Sequence, residues 1–356
     1  MTAILKPIAF LLIIVAAYLV KRAGLFKPRD YRVMQVVVFD FTLPASIIVS
    51  FATNPHHLSM LLISVFAIVF GLLPLLLVYA ATRHKPVADR AFLMLNCSGF
   101  NIGNFCFPVI QTFMGPSALV TASMFDIGNS VIVTAGSNVM TTSLLHIDMD
   151  RPLTEQHAGA APTLPYSKPR DKDARRLARR AKAKQILKGF LTSVPFNVYL
   201  LMIVVMLFSI HIPAFVPTLL QPVADANSFC SVFMVGMLMD LPRTGKDVGS
   251  VLRVLGWRLP LGVLFAAACW FLLPFDASAR KTAVMLSLAP TAVFSTLFTD
   301  RVLGNAKLAG FTLSVTAVIS IVLMTIVNFV IPARVPNMRS QNSQIRFHRF
   351  RGNGGK

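Results

Sequence analysis

Residues 60–81 read MLLISVFAIVFGLLPLLLVYAA, without one charged side chain. A bilayer core about 30 Å thick needs roughly 20 consecutive apolar residues per helical span, so this stretch is long enough to cross one, and a helix absorbs the hydroxyls it contains. Residues 308–331 form a second such block, again uncharged. The first block of the chain is shorter: Ile8 to Val20 is uninterrupted, but Lys6 and Pro7 precede it. It spans if Ile4 and Leu5 are included and Lys6 snorkels outward. A secretory signal is the competing reading of that block; against it, the block ends in Lys21 and Arg22 and no small-residue cleavage site follows. Backbone polar groups must be satisfied internally in hydrocarbon, and continuous apolar blocks exclude the alternating strands of a membrane barrel. The fold class is therefore all-α and polytopic.

Composition agrees, with 55% hydrophobic and 13% charged residues in 356 and a mean hydropathy of +0.67. The formal net charge of +20 does not point to nucleic acid, because the basic residues sit mostly in connectors between apolar blocks. That is the positive-inside distribution, and it makes anionic lipid headgroups the expected partner. Cys97, Cys106, Cys230 and Cys269 all fall within apolar blocks without paired spacing, so they read as packing residues and suggest neither disulfides nor a metal site.

Ten spans are expected, at roughly 4–21, 31–53, 58–82, 88–113, 116–145, 186–210, 214–240, 252–274, 279–302 and 307–331. Lys and Arg concentrate in the odd-numbered turns; among the even-numbered ones Ala279-Arg-Lys281 is the basic exception. The N-terminus is therefore expected outside a plasma or bacterial inner membrane, with the long connector cytoplasmic. The chain divides into a first five-helix repeat (1–145), a connector (146–185), a second repeat (186–332) and a basic tail (333–356). The connector opens on a Pro, Ala and Thr stretch not expected to pack and continues as the basic run 167–184. An even span count puts the basic tail outside, a departure from the charge rule that late segments tolerate.

Two five-span halves joined this way are inverted relative to one another, a common plan of secondary transporters. The fourth and ninth spans, which correspond, are each interrupted. The fourth reads LNCSGFNIGNFCFP over 95–108 and the ninth LSLAPTAVFSTLFTD over 286–300. Proline removes a backbone donor and clashes with the preceding turn, and the freed groups are tolerated only where they line a cavity or are buried in protein. Breaks at matching places point to a binding site, whereas an ordinary proline kink is the bland alternative. Half-helix N-termini there suit an anionic substrate. The candidate lining is Asn101, Asn104, Pro108, Pro290, Thr291 and Ser295. Ionisable groups within spans are functional candidates by default, here Asp40, Asp126, Arg258 and Asp300. Asp126 and Asn129 share a helical face and could hold a proton or cation, or Asp126 could bond a neighbouring helix. Arg258 reads equally as a snorkelling interface residue.

These residues resemble the auxin efflux carrier family, over about residues 5–145 and 186–332. Phe39-Asp-Phe-Thr-Leu-Pro-Ala-Ser46 is similar to its Leu-Pro-Ala stretch, and Asn101 to Pro108 to its Asn-x-Gly-x-x-Gly-x-Pro, with Cys106 in place of the second Gly. Phe125-Asp-Ile-Gly-Asn129 resembles its Asp-x-x-Asn, Ala289-Pro-Thr-Ala-Val293 its Pro-Thr-Ala, and Asp300 falls where an acidic residue is usual. One departure is Phe294, where the family often has Asn. The resemblance implies ten helices with broken, crossing fourth and ninth members, and elevator-like movement of a small organic anion such as auxin or a dicarboxylate. It also implies coupling to H+ or Na+, no cofactor, and a homodimer. A membrane ligand sensor on the same fold and an integral-membrane enzyme are the other readings. The enzyme would need a nucleophile with a base or a metal cluster at membrane depth, and no such pattern appears within a span.

Overall fold

In a computed structural model of the chain, residues 2–27, 30–148 and 191–331 are described, apart from 243; between 149 and 190 the described residues are 151, 153–156, 159–165, 173, 176, 180, 183–184, 187–188 and 190. The basic tail 333–356 and most of the basic run 167–184 lie outside them. Every apolar block becomes helical, and among the described residues there is no strand. In chain order the helices are α1 (Thr2–Arg22), α2 (Tyr31–Thr53), α3 (Leu58–Ala81), α4 (Val87–Cys97), α5 (Ile102–Met114) and α6 (Ala118–Leu145). They continue as α7 (Val194–Leu207), α8 (Phe215–Leu238), α9 (Gly245–Leu272), α10 (Ala277–Ser287), α11 (Val293–Leu303) and α12 (Ala306–Val330).

The ten expected spans thus correspond to twelve helices, because the fourth is divided into α4 and α5 and the ninth into α10 and α11. Among the described residues five helices, α2, α3, α6, α9 and α12, are long and apolar enough to cross a membrane alone, and α4 with α5, bent by 48°, reaches that length and apolarity as a pair. Of the other four stretches, α8 is diluted by Gln221, Asp225 and Asn227, α7 is short, the five irregular residues 288–292 divide α10 from α11, and α1 is a helix of 21 residues.

Two groups of helices face each other. On one side α1 and α2 pack on α8, with α7 against α2. This group is tied by polar bonds: Thr42 donates to the Asn227 side chain (2.9 Å), and Ser46 to the Ala224 carbonyl (3.1 Å). On the other side α3 packs on α6 and α4, α9 on α10, and α11 on α12 and α4. Here the approach is close enough that a Cβ on Gly128 of α6 would overlap the Ser64 carbonyl of α3.

The basic exception at 279–281 is used inside the fold. Arg280 Nε donates to the Phe275 carbonyl (2.6 Å), and the buried Lys281 ammonium to the Asn328 carbonyl near the end of α12 (3.0 Å). The Lys281 ammonium thereby sits at the C-terminal end of α12, where positive charge is favourable.

The first part of the connector is packed, contrary to the expectation for its Pro, Ala and Thr stretch. Leu153 and Leu164 are buried in a cluster with Val87, Phe92 and Val302. Backbone bonds join Leu164 to Leu145 (3.1 Å) and Val87 to Ala161 (2.8 Å). The buried Arg90 of α4 donates to the carbonyls of Pro162 (2.6 Å) and Tyr79 (3.0 Å), with its guanidinium over the Tyr79 ring. Isolated leucines in a polar loop carry no period, so their burial had no sequence signature beyond their identity.

Candidate functional site

The ninth span opens where expected, with Pro290 inside the irregular segment 288–292. The fourth opens earlier than its proline. Ser98 is extended, Gly99 takes φ +73, which favours glycine, and a Cβ there would meet Val133. Pro108 sits ten residues beyond Ser98, in the first α-helical turn after a π-helical segment, Ile102–Cys106. In that segment the Cys106 N–H reaches back five residues to the Asn101 carbonyl (3.2 Å), and Phe107 likewise to Ile102. The widened turn accommodates the proline ring, so Pro108 bends nothing by itself. The same arrangement recurs in α2, where a π-helical segment, Val37–Thr42, runs directly into Leu43-Pro44. A third interrupts α6 at Ile132–Gly136.

The two breaks meet. The Asn101 N–H donates to the Pro290 carbonyl at 3.0 Å, so an interrupted backbone in one span satisfies its counterpart in the other. A second tie lies nearby, where Asn96 of α4 donates to the Thr299 hydroxyl of α11 (2.9 Å).

Beside this crossing is a cavity whose empty space, open mouth included, is about 430 Å³. All three π-helical segments border it: Phe39 from α2, Ile102, Gly103 and Asn104 from α5, and Val133 and Thr134 from α6. Such bulges recur at functional sites because they re-aim side chains and free carbonyls. Asn101, Asp126 and Ser130 add polar groups, Ser193 and Pro195 close it from the α7 end, and Val293 and Phe294 come from the start of α11. The cavity therefore lies between the two helix groups. Phe294 touches Phe39 edge to face across that divide, with ring centroids 5.9 Å apart.

Two of the lining amides lack partners. Asn101 Nδ2 and Asn104 Oδ1 are fully buried and make no hydrogen bond. An unmade bond at a buried polar atom costs on the order of 1–3 kcal/mol, and both residues line this cavity. Asn129 and Asp126, by contrast, are hydrogen-bonded. Asn129 accepts from the Phe100 N–H and donates to the Phe100 carbonyl, both at 2.9 Å, pairing with the broken strand of chain as a backbone partner would. It also donates to Asp126 Oδ1 (2.8 Å), while Tyr199 of α7 donates to Oδ2 (2.6 Å).

The other expected site residues are placed as follows. Thr291 is buried and its hydroxyl pairs with that of Thr316 on α12 (3.0 Å), anchoring the break. Ser295 is buried one position past Phe294, which takes the cavity wall. Neither Pro108 nor Pro290 is among the residues that line the cavity; Pro290 lies within the second break, and Pro108 in the helix that follows the first. Asp40 and Asp300 are exposed and lie outside it. Arg258 is neither in this cavity nor snorkelling; it lies on the other side of the crossing with its guanidinium on the backbone of both breaks. Sequence reasoning missed Tyr199, whose only signal was a phenol in the apolar run 198–206, as well as Ser130, Ser193 and Phe39.

The profile of a family described as membrane transport protein matches residues 3–328, nearly the whole chain. The chain belongs to this family. A comparison with curated proteins returns no match.

Proposed function

We propose that the protein is a secondary active transporter of a small organic anion, with its substrate site in the cavity beside the α4–α5 and α10–α11 breaks. The observation that carries this is the pair of buried, unpartnered amide atoms, Asn101 Nδ2 and Asn104 Oδ1, on two residues that line one cavity. The donor suits a carboxylate oxygen. The N-terminus of α11 begins at Val293 on the cavity wall without a side-chain cap, and the oriented N–H groups of its first turn add positive potential without a Lys or Arg in the lining. Phe39, Leu43, Val293 and Phe294 form an apolar wall suited to the carbon body of the anion.

In this reading the two halves are inverted five-span repeats with the N-terminus outside and the connector cytoplasmic. Gly115 (φ +86) and Gly304 (φ +65), which end the fourth and ninth spans at matching places, support the repeat. The α1, α2, α7 and α8 group is the scaffold, and the group carrying the breaks is the body that moves, elevator-like, past the Phe39–Phe294 contact. Asp126 is the group through which H+ or Na+ couples, because it is the carboxylate in the lining.

The test is a thermal-stabilisation screen of purified protein against small carboxylates, with and without sodium, followed by counterflow of the hits in proteoliposomes. A ligand at 100 times its Kd stabilises by about 2.7 kcal/mol, well within reach of such a screen. The expected result is a carboxylate that stabilises the wild type, exchanges in counterflow, and loses both effects in Asn101→Ala. Stabilisation that persists in Asn101→Ala would move the site elsewhere, and binding without counterflow would make the protein a sensor.

A further inference from the structure

Four backbone carbonyls converge on one side chain at the far side of the crossing. Arg258 Nη1 donates to Asn96 (3.2 Å), Cys97 (3.3 Å) and Gly99 (3.0 Å), and Nη2 to Ala289 (2.8 Å). The first three carbonyls end α4 or lie just beyond it, and the fourth lies just beyond α10. A helix C-terminus carries partial negative charge and exposed carbonyls, and here two such ends are brought to the same point. Left alone they would repel one another and leave acceptors unsatisfied in an apolar body. Arg258 meets both needs with one group, since its planar fork presents several donors in fixed directions and stays charged. Its guanidinium carbon lies 5.3 Å from the centre of the Phe100 ring, which faces it from within the first break. Among the described residues it has no carboxylate partner, so the broken backbone is what holds it.

We infer that Arg258 is a positioning residue that fastens the two breaks into a single rigid unit, so that α5 and α11 keep a fixed relation at the substrate cavity. It touches no lining atom of that cavity and acts only through the two carbonyl clusters. The Asn101–Pro290 backbone bond and the Asn96–Thr299 side-chain bond already join the two spans; the fork adds a charged donor shared by the carbonyls of both breaks. A lysine at the position carries the charge on a single point and can serve one break at a time.

The inference is tested without any substrate, by hydrogen–deuterium exchange of the purified protein in lipid nanodiscs, so its failure is separable from failure of the transport reading. In Arg258→Gln, amides of 98–101 and of 288–293 are expected to exchange at least about tenfold faster, both together, while those of α3 and of the middle of α12 stay at wild-type rates. Arg258→Lys, which keeps the charge and folds more readily, is expected to restore one segment and leave the other fast. Unchanged exchange in both segments of Arg258→Gln would overturn the inference, as would a change confined to one. So would equal, full restoration of both in Arg258→Lys.

Discussion

Replacing Tyr199 by Phe isolates the link between α7 and the cavity carboxylate. Tyr199 is 1% exposed and Phe preserves its ring, so the packing contribution stays nearly constant and the change removes one bond, the 2.6 Å donation to Asp126 Oδ2. A hydrogen bond to a charged group is worth roughly 1.5–3 kcal/mol, and the length is that of a hydroxyl donating to a carboxylate. Tyr199→Phe should therefore lower stability by about 2 kcal/mol, a change of roughly 30-fold in the folding equilibrium. Asp126→Asn should also destabilise. Its amide can accept from only one of Tyr199 and Asn129 and must turn a donor toward the other. In the double variant the two losses overlap, and a double-mutant cycle in mixed-micelle denaturant titrations should return a coupling of about 1–2 kcal/mol. Costs that add to within about 0.5 kcal/mol would refute the bond and the placement of α7 against α6 that depends on it.

Asp126→Asn should also flatten the pH dependence of transport measured in proteoliposomes, and an unaltered profile with normal flux would give Asp126 a purely structural role. Gly128→Ala should lower stability by at least roughly 1–3 kcal/mol, because the new methyl meets the Ser64 carbonyl and backbone must separate from backbone; a wild-type melting temperature would contradict the α3–α6 packing. Arg90→Ala should release the docked part of the connector, whose Pro162 carbonyl it holds. Limited proteolysis after Leu153 or Leu164 should then run about tenfold faster, matching the loss of a charged hydrogen bond, and an unchanged rate would mean the docking stands without it.

The apolar blocks and both interruptions were legible because each follows from local rules. A charge-free run long enough to cross hydrocarbon forms a helix, and a cluster of Gly, Asn and Pro interrupts it. Pro290 lies in its break for that reason. Pro108 does not, because a π-helical turn absorbed the proline and passed the break back to Gly99, the residue able to take positive φ. Whether a turn widens in this way is decided by packing, and single-residue propensity carries no trace of it. The same limit explains the ionisable groups. Asp40, Asp126, Arg258 and Asp300 look alike in sequence, yet one lines the cavity, one binds the backbone of two breaks and two are exposed. Their fates depend on partners dozens to hundreds of residues away, such as Tyr199 for Asp126 and Ala289 for Arg258. Asn101 and Asn104 were singled out because dense amides at membrane depth are costly wherever they point, and one atom of each is without a hydrogen-bond partner.

The most direct measurement introduces Asn104→Cys into a chain whose Cys97, Cys106, Cys230 and Cys269 have been replaced, and labels it with a membrane-impermeant thiol reagent from each side of sealed vesicles in turn. Alternating access to a water-filled site at the crossing predicts modification from both sides, slowed by any carboxylate that stabilises the protein. Modification from one side only, or from neither, would contradict it.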